Sequence, residues 1–578
     1  SQSQKRFWFE EQLLPHNPAL NVAVRWRLEG PVPHEHLEAA WRLLTARHEP
    51  LRTSFETIDG EPYQIVAPAV TLHIPLIDLT ALPADDARRE AERIAASEAR
   101  RPVDFASSPL IRVTHLRVAE RESIVLVTAH HTICDGWSVG VLAHEMGEAL
   151  AALAAGRSPA LAPLEATYAD YVAWEQANLA EEAASGLARE RLRALMAGVQ
   201  PFELATDRPR AAEQSTNSGI VSHLLPRELS EAVAELGKRH GCTLFMTAYA
   251  VLLTLLARFS GEREIVVGTQ VAGRDEVPFE ALVGSFINTI ALRAEVGGDP
   301  TFVELLERAR DVVSDAFELR GVPLEQLIEI VNPKRDLSRH PLFAVNFIFQ
   351  RSFIKNEDFG TFRLIDLPSR SAGPVYDLNF FMVERPEGWR ASCEYNADLY
   401  EEATVQRMLD AFVRLLRAVS EDPERRLSAL PVMDEDERER ILAYARGPRN
   451  AYERDATVHE VFAKIAAGAA DAVALVAGRE TLTYAELEAR SNRLARALAR
   501  HGVASGATVG VCLERSPETI VAYLAILKLG AAYLPLDPND PSPRLALLGS
   551  DAGARVVIAR EAELAFGQGV TTIDQAAL

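Results

Sequence analysis

His130-His131-Thr132-Ile133-Cys134-Asp135-Gly136-Trp137-Ser138 is the stretch on which the reading of this chain turns. Ahead of it runs Ile124-Val125-Leu126-Val127, an apolar run without interruption, as in a strand covered on both faces. Behind it, residues 139–155 are rich in Ala and Leu and read as a helix. The block is therefore a strand-to-helix turn. Side chains alternate across a strand, so only one of two adjacent histidines can face a given cleft. Gly136 is expected to let the chain turn tightly, and Asp135 to cap the following helix or hold a cation. A lone histidine at a strand end is most often a satisfied core residue, but that explanation covers a whole His-His-x-x-x-Asp-Gly block far less well. Adjacent histidines diverge and no cluster with metal-ligand spacing lies nearby, so no metal site is expected.

Working outward, the 578 residues are too many for one core and suggest several domains. A composition of 48% hydrophobic and 25% charged residues is ordinary globular material. The formal net charge of -21 speaks against nucleic acid and anionic membrane as partners. Cys134, Cys242, Cys393 and Cys512 are scattered without pairing, which implies a reducing compartment and a cytoplasmic location. The chain opens on polar residues, so no signal peptide is expected, and its most apolar stretch, residues 519–536, contains Lys528, Gly530 and Pro535. A buried helix followed by a strand is expected there, not a membrane span.

Residues 22–28 alternate as a strand should, and residues 37–45 repeat apolar positions at helical spacing. Tyr168, Tyr171 and Trp174 recur every third residue, which reads as a packing stripe on a helix. Residues 178–215 read as a helix and a connection into a second half, which opens with an apolar helix at 244–259, a strand at 265–269 and the turn Ala272-Gly273-Arg274. Residues 431–456 are dense in charge, contain Gly447-Pro448 and read as a linker.

The block at 130–138 resembles the core motif of nonribosomal peptide synthetase condensation domains and of the wider acyltransferase superfamily that includes chloramphenicol acetyltransferase. The rest of the chain makes the likeness specific. Ser3-Gln4-Lys5-Arg6-Phe7-Trp8 resembles the opening motif of these domains, and Arg47-His48-Glu49-Pro50-Leu51-Arg52-Thr53-Ser54-Phe55 the second. Val283-Gly284-Ser285-Phe286-Ile287-Asn288-Thr289 resembles the fifth. Val322-Pro323-Leu324-Glu325 is a weak form of the sixth, and Arg335-Asp336-Leu337-Ser338-Arg339-His340-Pro341-Leu342 a strong form of the seventh. Beyond the linker, residues 481–487 and 527–538 resemble the first two motifs of an adenylation domain. No phosphate-cradling loop follows, Gly567-Gln568-Gly569 being too short, and no carrier motif appears.

The resemblance implies an α/β fold of two chloramphenicol-acetyltransferase-like halves in a V, residues 1–177 and 178–430, then a linker at 431–456 and a truncated, inactive adenylation N-terminal fragment at 457–578. It implies amide-bond formation between a donor thioester and an acceptor aminoacyl thioester, each on a phosphopantetheinyl carrier protein. No cofactor is expected to be bound covalently. The partners implied are the upstream and downstream carriers and the remainder of the adenylation domain. His131 is implied as the catalytic residue, as base or as positioner of the amine, and His130 as structural. Asp135 is implied to pair with Arg274, or failing that with Arg52. Trp137, Ser138, Ser285, Asn288 and Arg339 are candidates for lining the substrate tunnel. The intact histidines and Trp137-Ser138-Val139 differ from heterocyclising and epimerising relatives, and what remains resembles an elongation domain, most like those taking an L-configured donor, with a D-configured donor or a modified residue as the other variants. Two alternatives remain: a coenzyme A-dependent acyltransferase, which would not be followed by adenylation motifs, and a non-catalytic recruitment domain, which would lose the motif histidine.

Overall fold

The strand that ends at the first histidine, Glu122–His130, lies between Asn21–Glu29 and Ile111–Ala119, antiparallel to both. In this computed structural model the described residues are all except 106–107, 201, 215, 335, 337, 351–355, 369–371, 386–387, 449, 561–565, 567–568 and 575–578. The chain divides into two compact units, Ser1–Ile441 and Leu442–Leu578.

The strand explains its own composition. Val125, Val127 and Ala129 face one core, with Trp26, Trp41 and Leu142, while Ile124 and Leu126 face another, with Leu116. Both faces are covered, and the polar side chains the strand does carry beyond Glu122, those of Ser123, Thr128 and His130, are themselves buried. The second cover is the helix Ala84–Arg100, whose Ala87, Ala91, Ala95 and Ala99 recur every fourth residue and are all buried. Small side chains on one stripe let that helix lie close against the sheet.

This first six-stranded sheet runs in the order Glu357–Asp358, Arg363–Leu367, Asn21–Glu29, Glu122–His130, Ile111–Ala119, Leu76–Asp78. Its first two strands come from deep in the second half of the sequence. The expected border at 177/178 also falls inside one continuous helix, Tyr168–Ser185. The aromatic stripe on that helix packs Tyr168 and Tyr171 against Phe279, Leu282 and Phe286 of the second half. The halves are thus interlocked, because a strand's periodicity marks its faces but not its partner.

The second sheet runs Ser218–Leu224, Gly388–Asn396, Leu378–Arg385, Val345–Gln350, Glu264–Ala272, Ile287–Glu295. Val345–Gln350 is parallel to both neighbours, and the other pairings are antiparallel. The helices Leu244–Ser260, Phe302–Glu318 and Glu402–Glu421 contribute to its core. The stretch read as a linker contains the helix Glu435–Arg446, which buries no residue. Its charges pair along its own surface, as Arg438 does with Glu435 at 2.8 Å, so a helix forms without an apolar face.

In the second unit a parallel sheet runs Ala532–Pro535, Thr508–Cys512, Val556–Ala559, Thr571–Asp574. The apolar stretch at 519–536 forms most of the helix Pro517–Lys528 and then the first of these strands. Gly567 and Gln568 lie outside the described residues. Among the described residues no single helix is long and apolar enough to cross a membrane. The bent pair Arg227–Arg239 and Leu244–Ser260 has the composition for it, but its apolar residues belong to the core of the first unit.

Candidate active site

The sheet brings the two histidines to the end of a strand and then parts them. His130 N–H donates to Leu110 O and His131 N–H to Leu20 O, both at 2.9 Å, and Ile133 N–H closes a turn on His130 O at 3.0 Å. The tight turn is made at residues 130–133, before Gly136. Gly136 instead begins the helix Gly136–Ala154 without a positive φ, and it lines the cleft. The turn expected of it is not where the chain bends.

His130 is 2% exposed. Its Nδ1 faces the Thr132 hydroxyl at 2.9 Å and accepts from Thr132 N–H at 3.2 Å, and its ring lies edge-on to Phe105. Burial, reinforced by the neighbouring His131, pushes its pKa down to about 3. It is a neutral core residue at physiological pH. His131 points the other way, into a cleft of about 580 Å³ shared with Trp137, Gln270, Tyr376, Asn379 and Glu394. The Phe7 ring stacks on it, with centroids 5.1 Å apart and planes at 14°. Nδ1 is buried without a hydrogen-bond partner, which leaves Nε2 as the nitrogen open to the cleft. Burial lowers its pKa to about 4; the Asp135 charge opposes this, Arg6 reinforces it and the Cys134 backbone opposes it. At neutral pH the ring is neutral.

Asp135 anchors the loop. One carboxylate oxygen accepts from Ser138 N–H at 2.8 Å, capping the helix, and from Arg274 at 3.1 Å. The other accepts from Phe286 N–H at 3.2 Å. Both side chains of the pair are 3% exposed. Arg274 also donates to the carbonyls of Phe279 and Leu282, each at 2.7 Å, and stacks its guanidinium 3.7 Å from the Phe286 ring centre. Each charge is therefore compensated several times over, the condition under which a buried ion pair is tolerated. Arg52 is elsewhere: it donates to Ala67 O at 2.6 Å and lies 4.0 Å from Glu49.

The tunnel candidates divide. Trp137 lines the cleft, 37% exposed, its Nε1 donating to Glu280 O at 2.8 Å. Asn288 lines an adjoining cavity of about 350 Å³, its amide donating to the carbonyls of Arg320 and Val322. Val271, Ala272 and Ile287 border both cavities. Ser138 and Ser285 line neither. The Ser138 hydroxyl is fully buried, accepting from Gly284 N–H at 3.0 Å and Arg274 at 2.9 Å, and the Ser285 hydroxyl meets that of Ser3 at 2.6 Å. Both are struts behind the cleft, because small hydroxyls satisfy buried backbone more readily than they reach a substrate. Arg339 also lies outside it, held by Glu203 and by Asp336 at 2.7 Å. Arg335 and Leu337 of the same motif lie outside the described residues.

Phe7, which covers His131, was not singled out from sequence. Its helix, Gln2–Leu13, buries Ser3, Gln4, Arg6 and Glu11 beside Phe7. Arg6 donates to Thr289 Oγ1 at 2.7 Å and to Glu10 at 2.9 Å, and it lines the adjoining cavity. A first turn rich in polar residues gives no hydrophobic periodicity, so nothing in the pattern marks this face as internal. Among the described residues no group of His, Cys, Asp and Glu is placed to hold a metal ion.

Comparison with known proteins bears on what this cleft does. Residues 1–442 match the family model described as Condensation domain, and residues 462–577 that described as AMP-binding enzyme. Phosphinothricin tripeptide synthetase PhsC of Streptomyces viridochromogenes is 36% identical over 99% of the chain, which spans 53% of that protein's length. One component of the linear gramicidin synthase of Brevibacillus parabrevis is 38% identical over 97% of the chain, which spans 11% of it. Among solved structures, a four-domain nonribosomal peptide synthetase bound to AMP and glycine superposes with a TM-score of 0.83 at 22% identity, covering 100% of this chain and 44% of that one. The X-domain from teicoplanin biosynthesis gives 0.67 at 27% identity, over 75% of this chain and 97% of that one.

Proposed function

Because the chain belongs to the condensation domain family and runs on into part of an AMP-binding enzyme domain, we propose that residues 1–442 join two carrier-bound thioesters by a peptide bond. The observation that carries this reading is the neutral His131 ring, with Nε2 open to the cleft and its loop pinned by Asp135 and Arg274. The acceptor's α-amine attacks the thioester carbonyl carbon of the donor, the carbon–sulfur bond breaks, and the lengthened chain remains on the acceptor. The proton lost by nitrogen ends on the departing sulfur. An α-amine titrates near roughly 7.7–8.0, so a fraction is already neutral and needs no strong base. His131, titrating at about 4, is a weak base suited to accepting a hydrogen bond from that amine. It takes the proton only after the new bond has made the nitrogen more acidic.

Both substrates arrive on phosphopantetheine arms, one from an upstream donor carrier and one from a downstream acceptor carrier. The cleft and the adjoining cavity share the ends of the strands Glu264–Ala272 and Ile287–Glu295, which gives the two arms a common meeting place. The intact pair of histidines and the sequence Trp137-Ser138-Val139 set the chain apart from heterocyclising and epimerising relatives, and the reading that remains is an elongation domain, most like those with an L-configured donor, with a D-configured donor or a modified residue as the alternatives. Residues 431–456 act as the connection, and residues from 457 onward dock with the remainder of an adenylation domain. The cysteines are all free and buried, in keeping with a reducing cytoplasm.

Two carriers loaded with different aminoacyl thioesters, mixed with this protein and followed by intact-protein mass spectrometry, should show the donor mass move to the acceptor. His131→Ala should reduce that transfer by about 100-fold or more while leaving Tm nearly unchanged, since the ring lies at a cleft. Efficient acyl transfer from a coenzyme A thioester to a free amine, without any carrier, would instead favour an ordinary acyltransferase.

A further inference from the structure

The motif block has a second side. His131 faces the cleft, whereas His130 faces back towards the helix Gln2–Leu13, where its Nε2 lies 4.0 Å from Glu11 Oε2. That is too long for a hydrogen bond, and His130 Nε2 is buried without a partner among the described residues. The Glu11 side chain is itself only 7% exposed. Its Oε1 accepts from His16 N–H at 2.7 Å, with the His16 ring 4.0 Å away, while Oε2 has no hydrogen-bond partner among the described residues.

Glu11 lines a concavity of about 540 Å³ that shares no lining residue with the cleft or with the cavity adjoining it. Its walls are of two kinds. Trp8, Phe55 and Phe105 supply aromatic rings, the last two stacked on each other at 4.8 Å. Glu11, Glu56 and Asp104 supply carboxylates, and no lysine or arginine stands among the described lining residues. Burial lifts the Glu11 carboxyl above its ordinary pKa; the His16 N–H and ring oppose this, and Asp104 reinforces it. A buried carboxylate with so little set against its charge is costly in the free protein. Carboxylates beside aromatic faces suit an organic cation, the first through charge-assisted hydrogen bonds and the second through the negative face of the ring. A metal ion is a poor match, since among the described residues no group of His, Cys, Asp and Glu is placed to hold one.

We propose that this concavity is a binding site for an organic cation, a primary ammonium or guanidinium on an aliphatic stem, with Glu11 as the anion that holds it. The charged head sits on Glu11 Oε2 and the stem lies against Trp8 and Phe55. A free diamine or guanidine and a lysine or arginine side chain of a partner protein share this chemistry. The site goes beyond the reaction in the cleft and does not depend on it. Glu11 stands one turn beyond Phe7, the ring stacked on His131, so an occupied site braces the helix that covers the reactive histidine.

The test is calorimetric titration of the full chain at constant ionic strength. Agmatine serves as the free cation, a blocked tripeptide with a central lysine as the side-chain source, and 1-butanol as the uncharged control. At least one of the two cations should saturate a single site, the tighter one naming the source, and butanol should not. Glu11→Gln keeps an acceptor for His16 N–H but removes the charge, so it should weaken binding by about 10-fold or more. Its Tm without cation should stay level or rise. Trp8→Leu should weaken binding about 3-fold. The proposal is overturned if neither cation binds saturably, if butanol binds as well as they do, or if Glu11→Gln binds undiminished. A Glu11→Gln Tm lowered by more than about 5 °C would make the carboxylate structural and overturn it too. Should that variant fail to fold, the exposed Glu56 replaces it as the test: Glu56→Gln must then weaken binding by at least about 2-fold, and unchanged affinity overturns the site.

Discussion

The loops at residues 130–138 and 282–289 meet at the centre of the first unit and contribute different kinds of group. The first gives side chains: the His131 ring, the Asp135 carboxylate and the Ser138 hydroxyl. The second gives mainly backbone, with Phe286 N–H on Asp135, Gly284 N–H on Ser138, Leu282 O on Arg274 and Ser285 O on the Tyr168 hydroxyl. Substitution can delete what the first loop contributes but can only displace what the second does. The close approach also restricts the second loop: a Cβ on Gly284 would lie 2.2 Å from the Tyr168 ring.

The largest expected effect follows from that asymmetry. Asp135→Ala strands the Arg274 guanidinium and the Phe286 N–H in a site where both members of the pair are 3% exposed. Leaving one buried charge unpaired costs roughly 3–5 kcal/mol. Asp135→Ala with Arg274→Ala should cost less than the sum of the single changes, since neither charge is then stranded. Ser285→Ala in the opposite loop removes one hydroxyl contact to Ser3 and keeps every backbone bond, so about 1 kcal/mol is expected. Urea denaturation of the four variants measures the ordering. Strict additivity of the Asp135 and Arg274 changes would break the comparison.

A second effect appears only on acidification, and part of it belongs to the first loop. Burial holds His131 at about 4 and His130 at about 3, both below the roughly 6.5 of an unfolded histidine. The folded state therefore binds fewer protons than the unfolded chain between those values. Stability is unaffected above about pH 6.5 and falls as pH drops from there towards 4 and 3. His340, held at about 3, and His115, at about 4, add to the same slope. Thermal melts at stepped pH should show Tm declining on acidification. His131→Asn should flatten part of that decline while the remaining histidines keep the rest. An unchanged slope in His131→Asn would mean that the ring is not desolvated in the folded protein.

Legibility in the sequence follows the same division. The strand before the histidines, the helix after them and the aromatic stripe at 168–174 were all readable, because each rests on a side-chain pattern. Arg274 as the partner of Asp135 came from family likeness, across 139 positions that no local pattern spans. The two edge strands at 357–367 were not readable as part of the first sheet, since pairing is a long-range choice that alternation does not encode. Ser138 and Ser285 read as tunnel candidates and lie behind the cleft, because a hydroxyl that serves buried backbone looks the same in sequence as one that serves a substrate. Phe7 went unmarked because its helix buries polar residues around it.

The smallest expected effect concerns Arg339, which family likeness offered for the tunnel and which lies outside both cavities. Its side chain is 27% exposed, and its partner Glu203 is 54% exposed. Ion pairs so open to solvent contribute about 0–1 kcal/mol, because water screens the charges and two long side chains must be ordered to meet. Arg339→Ala should therefore cost no more than about 1 kcal/mol in denaturation and leave peptide transfer between loaded carriers within about 2-fold of the unsubstituted rate. Raising the salt concentration should shrink the stability difference further, since the pair is partly open to solvent. The informative failure is a selective one. A loss of transfer exceeding about 10-fold, with stability intact, would mean that Arg339 leaves Glu203 to meet a carrier or its thioester. The second half of the unit would then supply a charged side chain to the reaction, beyond the Arg274 side chain and the backbone groups that hold the first loop in place.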